Sequence, residues 1–170
     1  GHGIFATVQA ARIAKTKFFF QDKALFMAQL VKEIAAAIKS AQKKNLVPCF
    51  RLNLTSDLPW EKITLNGKTV FDLFPQVTFY DYTKSAQRMT AFLTGEFPSN
   101  YQLTFSRSES NEKLVDAILA SGVNVAVVFR GSLPENWKGY RVVSGDESDL
   151  RFLDPQNVIV GLVEKGKAKK

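Results

Sequence analysis

The chain reads as a single α/β domain, a partial or irregular β/α barrel with five or six mainly parallel strands. Three observations predict it. Five β-rich runs recur along the chain: residues 47–55, 77–84, 101–109, 124–131 and 158–163. Helix-period patterns separate the middle runs, which calls for parallel pairing through right-handed crossovers. The first four runs end in polar residues, and the C-terminal strand edge is where such folds gather ligands and catalytic groups.

Taken in order, Ile4 to Phe20 reads as a short helix followed by a packing segment ending in Phe18-Phe19-Phe20. Asp22 is a plausible N-cap for a long helix whose core face is Leu25, Phe26, Leu30, Ile34 and Ile38. Lys43 and Lys44 suit its C-terminal dipole. In the first strand Phe50, Leu52 and Leu54 alternate with Arg51, Asn53 and Thr55. Ser56-Asp57 leads into Pro59-Trp60, where a turn of helix starts. Asn66-Gly67 marks a turn, and Val70 to Phe74 a short helix stopped by Pro75. The second strand feeds a helix from Ser85 through Leu93. After the third strand, a helix capped at Ser110 or Asn111 runs to Gly122. The fourth strand is almost wholly apolar, as a strand buried on both faces should be. Leu133 to Tyr140 reads as a loop and Arg141 to Val143 as a short edge strand or strand-like segment.

Domain organisation is simple: residues 1–170 form one α/β domain, with 1–21 as an N-terminal segment and 164–170 as a basic tail. Twenty-three Lys and Arg against 16 Asp and Glu give +7, which favours anionic partners. No run of 18 apolar residues points to a membrane, and no leader pattern is present, so a cytoplasmic setting is expected. Cys49 is the only cysteine and His2 the only histidine. Disulfides, cysteine-zinc cages and Ser-His or Cys-His machines are therefore not expected, and Cys49 reads as a small core residue. No Walker or GxGxxG loop follows a strand, so no cofactor is expected.

The polar strand ends define the candidate site. Arg51, Asn53, Thr55, Asp57, Lys84, Ser106, Arg107 and Arg130 are the candidate ligand-binding residues. Guanidinium forks make paired charge-assisted bonds to phosphate or carboxylate, although internal pairing with Asp57, Asp81, Glu109 or Asp146 serves the arginines equally well. Asp81, Glu109 and Asp146 are the candidate general acids or bases. Asp146-Glu147-Ser148-Asp149 lacks calcium-loop spacing and reads as a salt-bridged turn, so no metal is expected. Tyr80 and Tyr82 lie on the strand face opposite Asp81.

The phrases 51–61, 79–84, 103–109 and 145–155 resemble, in that order, a family of phage and mobile-element gene products. The likeness runs from about Phe5 to Lys167 and implies a phage protein acting in the infected cell. Longer relatives look like radical-SAM β/α barrels with a cysteine cluster. Only Cys49 is found here, so the likeness implies the barrel without the cluster. The function expected is binding of nucleic acid or a nucleotide at the strand rim. An enzyme acting on a phosphorylated or carboxylated substrate there is the second expectation. The third is a protein that binds a host factor through Phe18 to Phe20 and the neighbouring basic residues.

Overall fold

The computed structural model describes residues 5–165. They fall into two compact units: Gly1–Cys49 with Trp60–Val77, and Phe50–Pro59 with Thr78–Lys170.

The first unit is helical. It contains α1 (Ala6–Gln21), α2 (Lys23–Lys43), a 3-10 turn at Trp60–Lys62 and α3 (Val70–Leu73). Asp22 separates the two long helices and caps the second, its Oδ1 accepting from the Leu25 N–H at 2.9 Å. Phe26 meets Phe18 at 5.4 Å and Phe19 at 5.3 Å between ring centroids, and Trp60 closes on Phe19 at 5.8 Å. That ring cluster, with Met27 and Ile34, is where the helices bury apolar surface. The expected packing segment after α1 is instead the continuation of the helix, with Phe19 buried and Phe20 exposed. Leu25 is 57% exposed, not core. At 100° per residue, Met27 falls on the stripe of Phe26, Leu30 and Ile34, whereas Leu25 falls on the opposite side. The Asn66-Gly67 turn has φ of 51° and 78°, as its sequence suggested.

The second unit carries the sheet. Its strands are β1 (Cys49–Phe50, whose first residue belongs to the helical unit), β2 (Thr78–Thr83), β3 (Tyr101–Ser106), β4 (Val125–Phe129), β5 (Asn136–Trp137), β6 (Tyr140–Ser144) and β7 (Ile159–Val163). The order is β1-β2-β3-β4-β7-β6-β5. β2, β3, β4, β7 and β6 pair in parallel, and β5 pairs antiparallel with β6. The α/β class and mainly parallel pairing are as the alternation predicted. Seven strands replace five or six, and no pairing among the described residues closes β5 onto β1 as a barrel would require.

Three local differences follow from side-chain chemistry. The predicted strand over 47–55 shrinks to Cys49–Phe50, because Asn53 spends its amide on Leu58 N–H and C=O and folds the chain into a loop. The expected loop at 133–140 holds β5, joined to β6 by Lys138-Gly139 with φ of 52° and 82°, the left-handed pair a tight hairpin needs. The strand or strand-like segment expected at 141–143 is a strand, β6, but it lies between β5 and β7 and not at the edge.

Helices α4 (Ala86–Leu93) and α5 (Glu112–Ala120) connect β2 to β3 and β3 to β4. Ser85 caps α4 through the Arg88 N–H. The β6–β7 connection runs back across the sheet, so a right-handed crossover puts it on the other face. Phe152 in that connection accordingly packs on Tyr80 of β2, with ring centroids 5.4 Å apart.

Gly161 in β7 has no room for a side chain: a Cβ there would lie 2.6 Å from Val142 Cγ1 and 2.8 Å from Leu133 Cδ2. Gly161→Ala is expected to destabilise the protein by about 1–3 kcal/mol. Urea titration should show a lower midpoint with an unchanged slope.

Candidate functional site

A cavity of about 710 Å³ opens at the C-terminal ends of the parallel strands. The 51–57 loop, the end of β2, Ser106 of β3, the Gly145–Asp149 turn after β6 and Leu162 with Lys165 at the end of β7 form its wall. All of these belong to the sheet unit.

The wall is held from behind by a buried polar network. Asp81 points to the α4 side of β2, and its Oδ1 accepts from the Asn53 N–H at 2.8 Å. Its Oδ2 accepts from the Tyr101 hydroxyl at 2.7 Å, and that hydroxyl accepts from Arg88 Nη2 at 2.9 Å. Arg88, itself buried, turns its Nη1 onto Asp57 Oδ1. Asp57 also accepts from the Thr83 hydroxyl at 2.9 Å and the Lys84 N–H at 2.9 Å. The 51–57 loop is thus tied to β2, β3 and α4 through charge-assisted bonds.

Burial pushes the Asp81 carboxyl up to about 7, despite the lowering effect of Tyr101, the Asn53 N–H and the two arginines. Burial and the facing Asp81 also push the Tyr101 phenol up, so it remains a donor.

On the other strand face, Arg51 lies over the Tyr82 ring at 4.6 Å. Its Nε donates to the Asn53 carbonyl at 3.1 Å, and its Nη1 to both Asp149 carboxylate oxygens at 3.0 Å. Burial raises the Tyr82 phenol as well. Asp146 accepts from Lys165 Nζ at 2.6 Å and from the Val163 N–H at 2.8 Å, which together hold its carboxyl below the usual range. The Lys84 ammonium and the Glu147 carboxylate line the same cavity and have no partner among the described residues.

Arg51, Asn53, Thr55, Asp57, Lys84, Ser106 and Asp146 of the expected set therefore meet at the cavity. Arg107, Arg130, Asp81 and Glu109 do not. Arg107 turns to Glu112 in the first turn of α5 and to the Trp137 ring at 5.7 Å. Arg130 is 82% exposed, 3.8 Å from Glu164. Glu109 is exposed in the turn before α5, and Asp81 is sealed behind the wall. The three expected acid-base carboxyls are thus in three separate places.

Three contributors escaped sequence reasoning: Arg88, Tyr101 and Lys165. Arg88 carried a signal, since it shares a helical stripe with Phe92 at i+4, an unusual place for an unpaired cation. Lys165 was counted with the basic tail but is bonded to Asp146; residues 166–170 of that tail lie outside the described residues.

Fold and cavity together define an open, mainly parallel α/β protein with an ion-paired cavity at its strand ends. The chain belongs to the Gene product 88 family, whose model matches residues 1–170. This is a phage-type gene-product family with no assigned activity, as the four phrases suggested. The likeness to radical-SAM barrels finds no support in the comparisons, and the strand order among the described residues does not show the barrel closure that it implied. No curated protein and no solved structure matches the chain. No described helix is long and apolar enough to cross a membrane.

A carboxyl whose folded value lies above its unfolded value of about 3.9 takes up a proton in the native state. Its contribution to stability is therefore greatest below about pH 4, falls as pH rises to about 7, and is level above that. Asp81→Asn should remove this slope, so the wild-type-minus-variant stability from urea titrations should decline between those limits. A flat difference would show that Asp81 titrates normally.

Proposed function

We propose that the cavity binds a small molecule of nucleotide size that carries an anionic group. Its volume lies in the range of ordinary small-molecule sites. The observation that carries the reading is the pattern of engaged and unengaged groups. Asp57, Asp146 and Asp149 are each satisfied by Arg88, Lys165 and Arg51 respectively. Lys84 keeps a free ammonium, and Arg51 uses Nε and Nη1 while its Nη2 edge makes no bond among the described residues.

A ligand phosphate or carboxylate fits those free donors without breaking an existing pair. Glu147 offers the opposite complement, an acceptor for an amino or hydroxyl group on the same ligand. Tyr82, with Arg51 stacked on it, presents a flat cationic surface on which an aromatic base can lie. A nucleotide combines these features, with its anion at one end and hydrogen-bond donors on its base at the other.

Binding to the native state alone raises stability by about 2.7 kcal/mol at ligand 100 times Kd. Thermal unfolding should therefore shift upward with a nucleoside mono- or triphosphate, and Lys84→Ala should weaken the interaction by about tenfold. Absence of any shift with nucleotides, pyrophosphate or phosphate, or an equal shift in Lys84→Ala, would remove this reading.

A further inference from the structure

The positive charge of the chain is unevenly placed, and the helical unit holds nearly all of the excess. That unit has ten Lys and Arg against four Asp and Glu, whereas the described part of the sheet unit has ten against twelve. Their pairing differs as well. Seven of the ten cations in the described sheet unit are in ion pairs. None of the seven lysines between residues 6 and 44 is in one among the described residues. The two acids in that span are otherwise occupied: Asp22 caps α2, and Glu33 accepts from Gln29 Nε2 at 3.1 Å.

We propose that the consecutive helices α1 and α2 form a docking surface for single-stranded nucleic acid. Lys32, Lys39 and Lys43 fall within about 40° on one stripe of α2 at 100° per residue. Their axial separations are about 10 Å and about 6 Å, on the scale of backbone phosphate spacing. On α1, Ile13, Lys17 and Phe20 share a stripe at i, i+4 and i+7; Phe20 is 71% and Ile13 56% exposed. Phosphates would meet the lysines while a base stacks on the Phe20 ring, the combination that holds single strands without sequence preference. Of the sixteen residues of α1 only Phe19 is buried, with Arg12 and Phe18 half-buried, so the stripe of Ile13, Lys17 and Phe20 is exposed.

An anionic membrane is the other surface such a helix can meet, but it calls for a continuous apolar face opposite the cations. Lys17 sits in the same stripe as the exposed Ile13 and Phe20, so the two kinds of side chain are interleaved instead. Interleaving suits a polymer that alternates charged phosphates with flat bases.

Fluorescence anisotropy of the full chain with an oligothymidylate of about 15 nucleotides tests the proposal. Three phosphate contacts predict a loss of about 20-fold in affinity between about 50 and about 200 mM salt. Lys32→Gln/Lys39→Gln/Lys43→Gln should weaken binding and flatten that dependence. Lys62→Gln/Lys68→Gln/Lys113→Gln, with the same change in charge, should not. Phe20→Ala, checked by circular dichroism for an unchanged fold, should lower affinity for the single strand about tenfold and leave binding of poly-glutamate unchanged. No binding at low salt would overturn the proposal. So would equal losses in the two triple variants, indifference to Phe20→Ala, or tighter association with vesicles of phosphatidylserine and phosphatidylcholine at a ratio of about 1:3.

Discussion

Arg88 is the group on which the cavity wall depends. Its side chain is only 7% exposed, and a guanidinium at that depth is costly unless its donors are met. Asp57 meets Nη1 and Tyr101 meets Nη2, so one side chain of α4 fixes the end of the 51–57 loop and a residue of β3 together. Asp81 then closes the arrangement by accepting from Tyr101 and from the Asn53 backbone. A loop with only a two-residue strand before it thereby acquires a definite position, and with it Arg51 acquires its aim. The network is local and side-chain driven, which explains why hydrophobic alternation over 47–55 gave the wrong length for the first strand.

Much of the fold was legible because it rests on periodicity and breakers. The β-rich runs around Phe79, Leu103, Val127 and Val160 all became strands, and Asp22 caps the helix it was expected to cap, while Ser85, read as the first residue of its helix, is the cap of α4. What could not be read was strand order. Nothing in the composition of 140–144 says that this segment lies beside β7, or that its return crosses the opposite face to α4 and α5. That placement comes from tertiary pairing, and it carries the acidic turn to the cavity. Likewise Leu25 looked like core because it is apolar, although Met27 fits the buried stripe better.

The site was legible in kind but only partly in membership. Strand ends were a sound guide for Arg51, Asn53, Lys84 and Ser106, because a parallel sheet delivers them to one edge. The same rule failed for Arg107 and Arg130. Each lies just beyond its strand, where the chain turns away and a nearer acid, Glu112 or Glu164, captures the side chain. Internal pairing against an external ligand was the open question for the arginines. At Arg51 internal pairing engages only part of the guanidinium, since Nη1 serves Asp149 while Nη2 makes no bond among the described residues.

Net charge is a sum, and a sum does not locate its terms. The +7 of the whole chain drew attention to the strand rim, yet the described sheet unit has more acids than bases and most of its cations are paired. The excess belongs to the helices, where lysines stand exposed without carboxylates to neutralise them. A cavity with nearly balanced charge selects by geometry, through the few donors and acceptors it leaves free. A surface with unpaired lysines selects by charge density and is sensitive to salt. The two proposed kinds of recognition are assigned to different units of the chain, so a salt-dependent association and a ligand-dependent rise in stability can be tested separately.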